Sequence, residues 1–313
     1  MRDEISLESL QERIPSLRTA HASTEVKKGL SPIDKKYIID QGHGIRYLLR
    51  TAPIGQYERK NSLHRILMDL QQYQVRSPLP IEVGKVEELG ICYQLLSYID
   101  GEDAEEAIGR YPEQTQFQIG VDAGRDLARM HRLQAPSSVA PWHIRASSKH
   151  TRYLEAYKDC GIRLEDDHKI LAFIEENQKW MADRPNLFQH DDFHLANLIL
   201  KDGSYSGVID FNNADWGDPL HDFHKLTLLN KEASVPFSAG QLAGYFENGQ
   251  LTDLFWRLYS LYAAMGVFSV LVWSIRHTPD RVELEVERLM TILEEHAYFE
   301  RLEPSWYRDF HSS

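Results

Sequence analysis

The sequence predicts an α+β chain of two lobes: a small antiparallel-sheet N-terminal lobe, 1–97, and a larger, mainly helical C-terminal lobe, 98–313. Three observations predict it. Short β-type runs alternate with turn residues up to about residue 97, interrupted by a single helical stretch. Beyond that point apolar residues recur at helical spacing over long windows. Between those windows lies one segment of a different kind, 188–223, in which histidines, asparagines and aspartates crowd around two short apolar runs.

In chain order, residues 5–14 place Ile5, Leu7, Leu10 and Ile14 on a short helix. Strands are expected at 22–28, 35–40 and 45–51, with turns at 29–32 and 42–44. Lys27, Lys28 and Gly29 fall at the first turn, either as phosphate contacts or as a solvated basic turn. Strand alternation puts Arg50 on the face of Leu48 and away from Leu49. A guanidinium there can grip a phosphate through two parallel hydrogen bonds, or it is an edge-strand surface charge. A helix at 56–73 has Leu63, Ile66, Leu67 and Leu70 as its buried stripe. Near its start, Glu58 either orients the strand cation or pairs at the surface with Arg59 or Lys60. Pro78 and Pro80 stop this helix, and strands follow at 81–86 and 91–99. The acidic run 100–106 reads first as a helix start with carboxylates near its N-terminus, and second as a patch for a polyamine. Helices are expected at 115–133, 147–160, 167–183, 237–250, 252–275 and 282–300. Small Gly120, Ala123 and Gly124 suit close packing of the first of these. The apolar stretch 258–275 approaches membrane-span length but carries tyrosines and serines, and is read as a buried helix.

The chemistry lies in 188–223. Phosphoryl transfer to an alcohol needs a carboxylate to orient the hydroxyl and take its proton, oxygen ligands for magnesium, and a cation for the triphosphate. Kinases write the first two as H-x-D-x-x-x-x-N followed by a strand that ends in a metal-binding Asp. His190, Asp192 and Asn197 fit the spacing, whereas counting from Asp191 lands on Ala196. Asp192 is therefore the candidate base and Asn197 a candidate magnesium ligand. Two β-type runs around the turn 201–204 form a hairpin that returns Asp210 beside Asn197. An amide oxygen and a carboxylate are hard donors, which suit Mg²⁺.

With His190, Asp192, His194 and Asn197 in the loop, then Ile209-Asp210-Phe211, then Gly217-Asp218-Pro219 with Asp222, the chain resembles the aminoglycoside phosphotransferase family, the small-molecule branch of the protein-kinase-like fold. The resemblance extends from about Ser16 to Glu300, though only 188–223 is highly specific. It implies a two-lobed kinase-like fold that binds ATP (or GTP) with Mg²⁺ between its lobes. It supports an arginine at the place of Arg50. It places the adenine against 94–99, with the backbones of Ser97 and Ile99 as partners, and the segment around Lys28 over the phosphates. It implies a small-molecule acceptor, such as an aminoglycoside antibiotic, with antibiotic resistance as a role. Two positions depart from the family pattern: Asn212 stands in place of a glycine, and Asp191 in place of a small residue. Asp218 and Asp222 are expected to be structural.

A formal charge of -12 argues against nucleic acid as partner. Two cysteines, Cys92 and Cys160, fit a reduced cytoplasm, and the first residues contain no apolar signal region. Three other readings stand beside the phosphotransferase. A metabolite kinase of the choline, homoserine or sugar type shares its fold. A nucleotide-binding protein without transferase activity would keep the fold alone. A metallohydrolase would use His190, His194, His221 and His224 with nearby aspartates, but the chain contains no H-E-x-x-H.

Overall fold

The computed structural model describes residues 6–26, 33–247 and 249–312. The chain divides into two compact units, 1–100 with 207–209, and 101–206 with 210–313. A single cut at 97/98 does not anticipate the excursion of 207–209. Its cause is local: Val208 N donates to Arg76 O, and a Cβ at Gly207 would stand 2.5 Å from that same carbonyl oxygen.

The first unit opens with α1 (Leu7–Gln11), capped by the Ser6 side chain, which accepts from Ser9 N. Strands β1 (Ala22–Val26), β2 (Lys35–Asp40) and β3 (Arg46–Pro53), helix α2 (Tyr57–Gln71), and strands β4 (Pro80–Val86) and β5 (Ile91–Ser97) follow. The strands form one antiparallel sheet in the order β1-β2-β3-β5-β4. One face packs Ile39, Leu49, Tyr93 and Leu95 against Leu10, Ile14 and Leu17 from the N-terminal segment. Arg50, one residue on from Leu49, points to the other face, as the alternation requires, opposite Gln94. Helix α2 covers that face. Its buried residues are Lys60, Leu67 and Leu70, while Leu63 and Ile66 are only half-buried. The expected stripe is deepest at Leu67 and Leu70, and a lysine occupies its N-terminal end.

The second unit begins with β6 (Glu102–Asp103), α3 (Ala104–Ala107), α4 (Glu113–Met130), α5 (Trp142–Asp159) and α6 (Asp167–Asn177). The central segment is carried by β7 (Leu187–Gln189), β8 (Leu198–Lys201), β9 (Ser204–Val208) and β10 (Asp215–Gly217). Helices α7 (Lys231–Ala233), α8 (Val235–Tyr245), α9 (Asp253–His277), α10 (Val282–Glu295) and α11 (Ser305–Ser312) follow. Strands β8 and β9 form the expected hairpin, turning at Asp202 and Gly203 with φ of 51° and 72°. Helix α5 starts earlier than its apolar pattern indicates, because Pro141 fixes the entry to its first turn. Helix α9 is long and apolar enough to cross a membrane by length and composition, but 72% of its most apolar stretch is buried inside the fold. It packs against α5, α6 and α10, which is the environment of a core helix.

Helices α4 and α8 form the closest pairing. A Cβ at Gly120 or Gly124 would lie 2.1 Å from Phe237 O or Gln241 O, and one at Gly240 or Gly244 would lie 2.1 or 2.0 Å from Phe117 O or Val121 O. Two small-residue faces therefore let the backbones touch. Gly124→Val forces them apart and is expected to lower stability by about 3 kcal/mol. Gly109→Ala, which meets open space, should stay within about 0.5 kcal/mol. Denaturant unfolding of the two variants checks both.

His296 is fully buried at the end of α10, and burial, helped by the Lys231 charge, holds its imidazole down to about 3. In the unfolded chain the group titrates near an ordinary ~6.5. Below that pH the unfolded state binds a proton that the folded state refuses. The contribution is therefore present above about pH 6.5 and is lost as pH falls toward 3, by on the order of a few kcal/mol. The unfolding midpoint should drop between pH 7 and 4. In His296→Gln it should drop less over the same range.

Candidate active site

Strand β7 pairs antiparallel with β10, with Gln189 opposite Asp215, Phe188 opposite Trp216 and Leu187 opposite Gly217. The loop leaving β7 and the turn entering β10 therefore emerge at the same end. This pairing, absent from the sequence reading, brings 190–197 and 210–213 together. Asn213 Nδ2 accordingly donates to Asp192 Oδ2 at 3.3 Å.

The loop is fixed from below by Asp222. Its carboxylate is fully buried and accepts from His190 N at 2.9 Å, Asp191 N at 2.7 Å and His131 Nε2 at 3.0 Å. Asp191 adopts a left-handed φ of 59°. A small residue suits that conformation best, and aspartate is among the few larger ones that tolerate it. Its side chain is held by His221 Nδ1 at 3.0 Å and Lys149 Nζ at 3.4 Å. Burial pushes the Asp191 carboxyl up, but His221, Lys149 and Lys225 outweigh burial and hold it well below the usual carboxylate range. Asp218 is also structural. It accepts from Arg184 Nε at 2.8 Å and Nη2 at 2.9 Å, Leu220 N at 3.1 Å and the Tyr262 hydroxyl at 2.7 Å.

Asp192 follows with its carboxylate only partly buried. Lys225 Nζ lies 3.0 Å and His194 Nε2 3.2 Å from Oδ1, and Asn197 Nδ2 lies 3.2 Å from Oδ2. Burial raises this carboxyl, and the His194 hydrogen bond and the Lys225 charge more than offset it, so it stays far below its ordinary range. Asn197 also donates to Asp192 O at 2.9 Å, which leaves its Oδ1 as the free donor atom for a cation. Asp210 sits at a left-handed φ of 60° and accepts from Asn212 Nδ2 at 2.6 Å. Asn212, the departure from a glycine, thus braces the carboxylate it follows. Asn197 and Asp210 together offer hard oxygens of the kind magnesium takes.

A second group can be drawn around potential ligand atoms: those of Asp191, His221 and Asp222 lie within 4.8 Å of one another. Both Asp222 oxygens are occupied by N–H donors, and an ammonium already sits on Asp191. The group is an ion-paired support for the loop, and the metallohydrolase reading gains no ligand set from it.

In the first unit, Arg50 is nearly buried, and Asp34 Oδ2 lies 2.5 Å from its Nη2 and 3.0 Å from Lys60 Nζ. This corrects the expectation for Glu58. That residue is exposed on α2, and an acid that does meet Arg50, Asp34, comes from the residue before β2. Helical spacing explains the difference: Lys60 shares the buried stripe with Leu67, and Glu58 lies off it. Ser97 ends β5 with its N–H donated to Leu79 O at 2.8 Å, so its carbonyl is what it has to offer a base. Ile99 lies two residues beyond the end of β5, with its side chain against Gly207. Lys28, with Lys27 and Gly29, lies outside the described residues. The acidic run is largely committed: Asp100 to Arg46, Glu102 to Arg110 and Tyr111, and Asp103 to the N-terminus of α3. Lys225, Asn213 and Asp34 escaped the sequence reading, and Lys60 entered it only as a surface partner of Glu58. Only Lys60 left a signal, at helical spacing from Leu67 and Leu70.

A carboxylate loop closed by an Asn, a hairpin returning an Asp, and a cation-bearing antiparallel sheet define the class of kinase-like small-molecule phosphotransferases. The sequence profile of the phosphotransferase enzyme family matches residues 28–268, and the chain belongs to that family. No curated protein matches it in sequence. Among solved structures, the GDP complex of wild-type aminoglycoside 2'-phosphotransferase-IIIa is 15% identical, with a TM-score of 0.64, covering 90% of this chain and 95% of that one. The gentamicin complex of APH(2'')-IIa is 16% identical, with a TM-score of 0.63, covering 92% and 96%. A thermostable APH(4)-Ia in ternary complex with AMP-PNP and hygromycin B is 14% identical, with a TM-score of 0.66, covering 93% and 98%. At these identities the likeness is one of fold: the kinase-like aminoglycoside phosphotransferase fold.

Asp222→Ala removes one acceptor from three donors and leaves two buried N–H groups of the loop unpaired. A loss of roughly 3 kcal/mol or more is expected. Measured by thermal and denaturant unfolding, it should exceed the effect of Asp202→Ala at the exposed hairpin turn.

Proposed function

We propose that the protein transfers the terminal phosphoryl group of ATP or GTP to a hydroxyl of a small molecule. The observation that carries this is the Asp192 constellation: an ionised, partly exposed carboxylate with Asn197 hydrogen-bonded to it, on a loop whose backbone Asp222 fixes. Asp192 would accept the hydrogen bond of the acceptor hydroxyl, orient its oxygen for in-line attack and take the proton as the new bond forms. Asn197 Oδ1 and the Asp210 carboxylate would hold magnesium, which when bound neutralises charge on the phosphates. In the first unit, Arg50 would grip the phosphates, and Ser97 and Ile99 would offer backbone groups to the base.

For the acceptor, an aminoglycoside-type compound or a related metabolite is the first choice, in keeping with the family. One observation favours the metabolite-kinase alternative. A polyamine needs uncommitted carboxylates, and Asp100, Glu102 and Asp103 are already engaged while Lys149 and Lys225 stand beside the loop aspartates.

The test is Mg²⁺-dependent turnover of ATP and GTP against aminoglycosides, macrolides, amino alcohols and sugars. One acceptor should stimulate turnover, and Asp192→Asn should reduce it by about a thousandfold, a loss within the range that removal of a positioned base and orienting group produces. Nucleotide affinity should stay unchanged. Binding of nucleotide with no acceptor-stimulated turnover would leave a nucleotide-binding protein without transferase activity.

A further inference from the structure

The buried polar group on the α2 face of the first sheet is built for more than one salt bridge. Arg50 and Lys60 are 3% and 5% exposed, and both converge on the one carboxylate of Asp34. Directly across the ladder from Arg50, on the same face, stands Gln94. Its side chain is fully buried, and neither its Nε2 nor its Oε1 has a hydrogen-bond partner. A buried amide left unmade in both directions is costly and calls for an explanation. Two cations, one shared acid and an unused amide donor are a set of groups complementary to an anion's oxygen. Burial and the neighbouring Arg50 charge press the Lys60 ammonium down, and Asp34 only partly compensates.

We propose that Lys60 and Gln94 complete, with Arg50, a receptor for a phosphate oxygen of the bound nucleoside triphosphate, and that Asp34 is the counter-ion that the phosphate displaces. This rests on the nucleotide-binding reading above and adds to it a second cation, from the helix, where an acid was expected. Asp34 holds the two cations in place while the site is empty of phosphate. A triphosphate brings more negative charge than one carboxylate and takes over the same donors. The amide Nε2 of Gln94 donates to the same oxygen or its neighbour. Phosphate-free nucleosides gain nothing from the group.

The experiment is calorimetric titration of the full chain with Mg·ATP, Mg·GTP, adenosine and guanosine, with thermal melts of every variant as a check on folding. Lys60→Gln should weaken the preferred triphosphate at least tenfold and leave its nucleoside unchanged, and Lys60→Arg should restore most of the loss. Gln94→Leu should weaken the triphosphate while raising the melting temperature, because it removes an amide that has no partner. Asp34→Asn should tighten the triphosphate several-fold. A Lys60→Gln protein with unchanged triphosphate affinity, or one weakened equally toward the nucleoside, overturns the receptor. Weakened binding in Asp34→Asn overturns the displacement. Wild-type protein that binds triphosphate no tighter than nucleoside sinks this inference and leaves the nucleotide reading standing. Wild-type protein that binds neither sinks both.

Discussion

The second unit depends on one buried carboxylate. Asp222 is withdrawn from water, which is affordable only because the ring of His131 and two consecutive backbone N–H groups meet its oxygens. Those N–H groups belong to His190 and Asp191, so the same interaction that satisfies the charge fixes the two residues before the candidate base. With the backbone held there and Asp191 in the left-handed region, the direction of Asp192 follows. Asn230 extends the support by accepting from Leu195 N and donating to Gln241 on α8. The packing of helices is thereby connected to the geometry of a few loop atoms.

Asp192 poses a physical question, since a carboxylate held far below its ordinary range by Lys225 and His194 is a weak proton acceptor. For phosphoryl transfer this is less of a handicap than for most general-base chemistry. The transition state is loose, bond formation to the acceptor is slight, and the hydroxyl proton leaves late. What matters early is an acceptor of fixed position that is always ionised, and a cation on the carboxylate secures that. Position and charge, more than basicity, are what the loop is arranged to supply.

How much of this was legible in the sequence depended on the range of the interactions. The hairpin with Asp202 and Gly203 at its turn, the strands around Arg50 and the core helix α9 follow from local pattern, and they stand where the pattern puts them. So does the direction of Arg50, because alternation along a strand is a local rule. The spacing from Asp192 to Asn197 is likewise local. The pairing of β7 with β10 is not: each strand is three residues long, too short for any periodicity. Lys225 beside Asp192 and Asp34 beside Arg50 are tertiary contacts with no spacing to reveal them. Glu58 failed for a different reason. Its chemical type suited the role, but its angular position on α2 did not, and the stripe through Leu67 and Leu70 assigns the buried place to Lys60.

That substitution changes the sign of the helix's contribution. In the usual kinase arrangement a strand lysine and a helix glutamate neutralise one another. Here strand and helix are both cationic, and the acid is moved to the strand start, where it is shared. Both cations are buried, where little water screens their mutual repulsion. Left to stability alone, a buried lysine beside a buried arginine and an amide with no partner is a poor core, and apolar residues of similar volume would serve better. The buried Gln94 amide across the ladder from Arg50 is thus a feature of this sheet that does not depend on the loop sequence around Asp192.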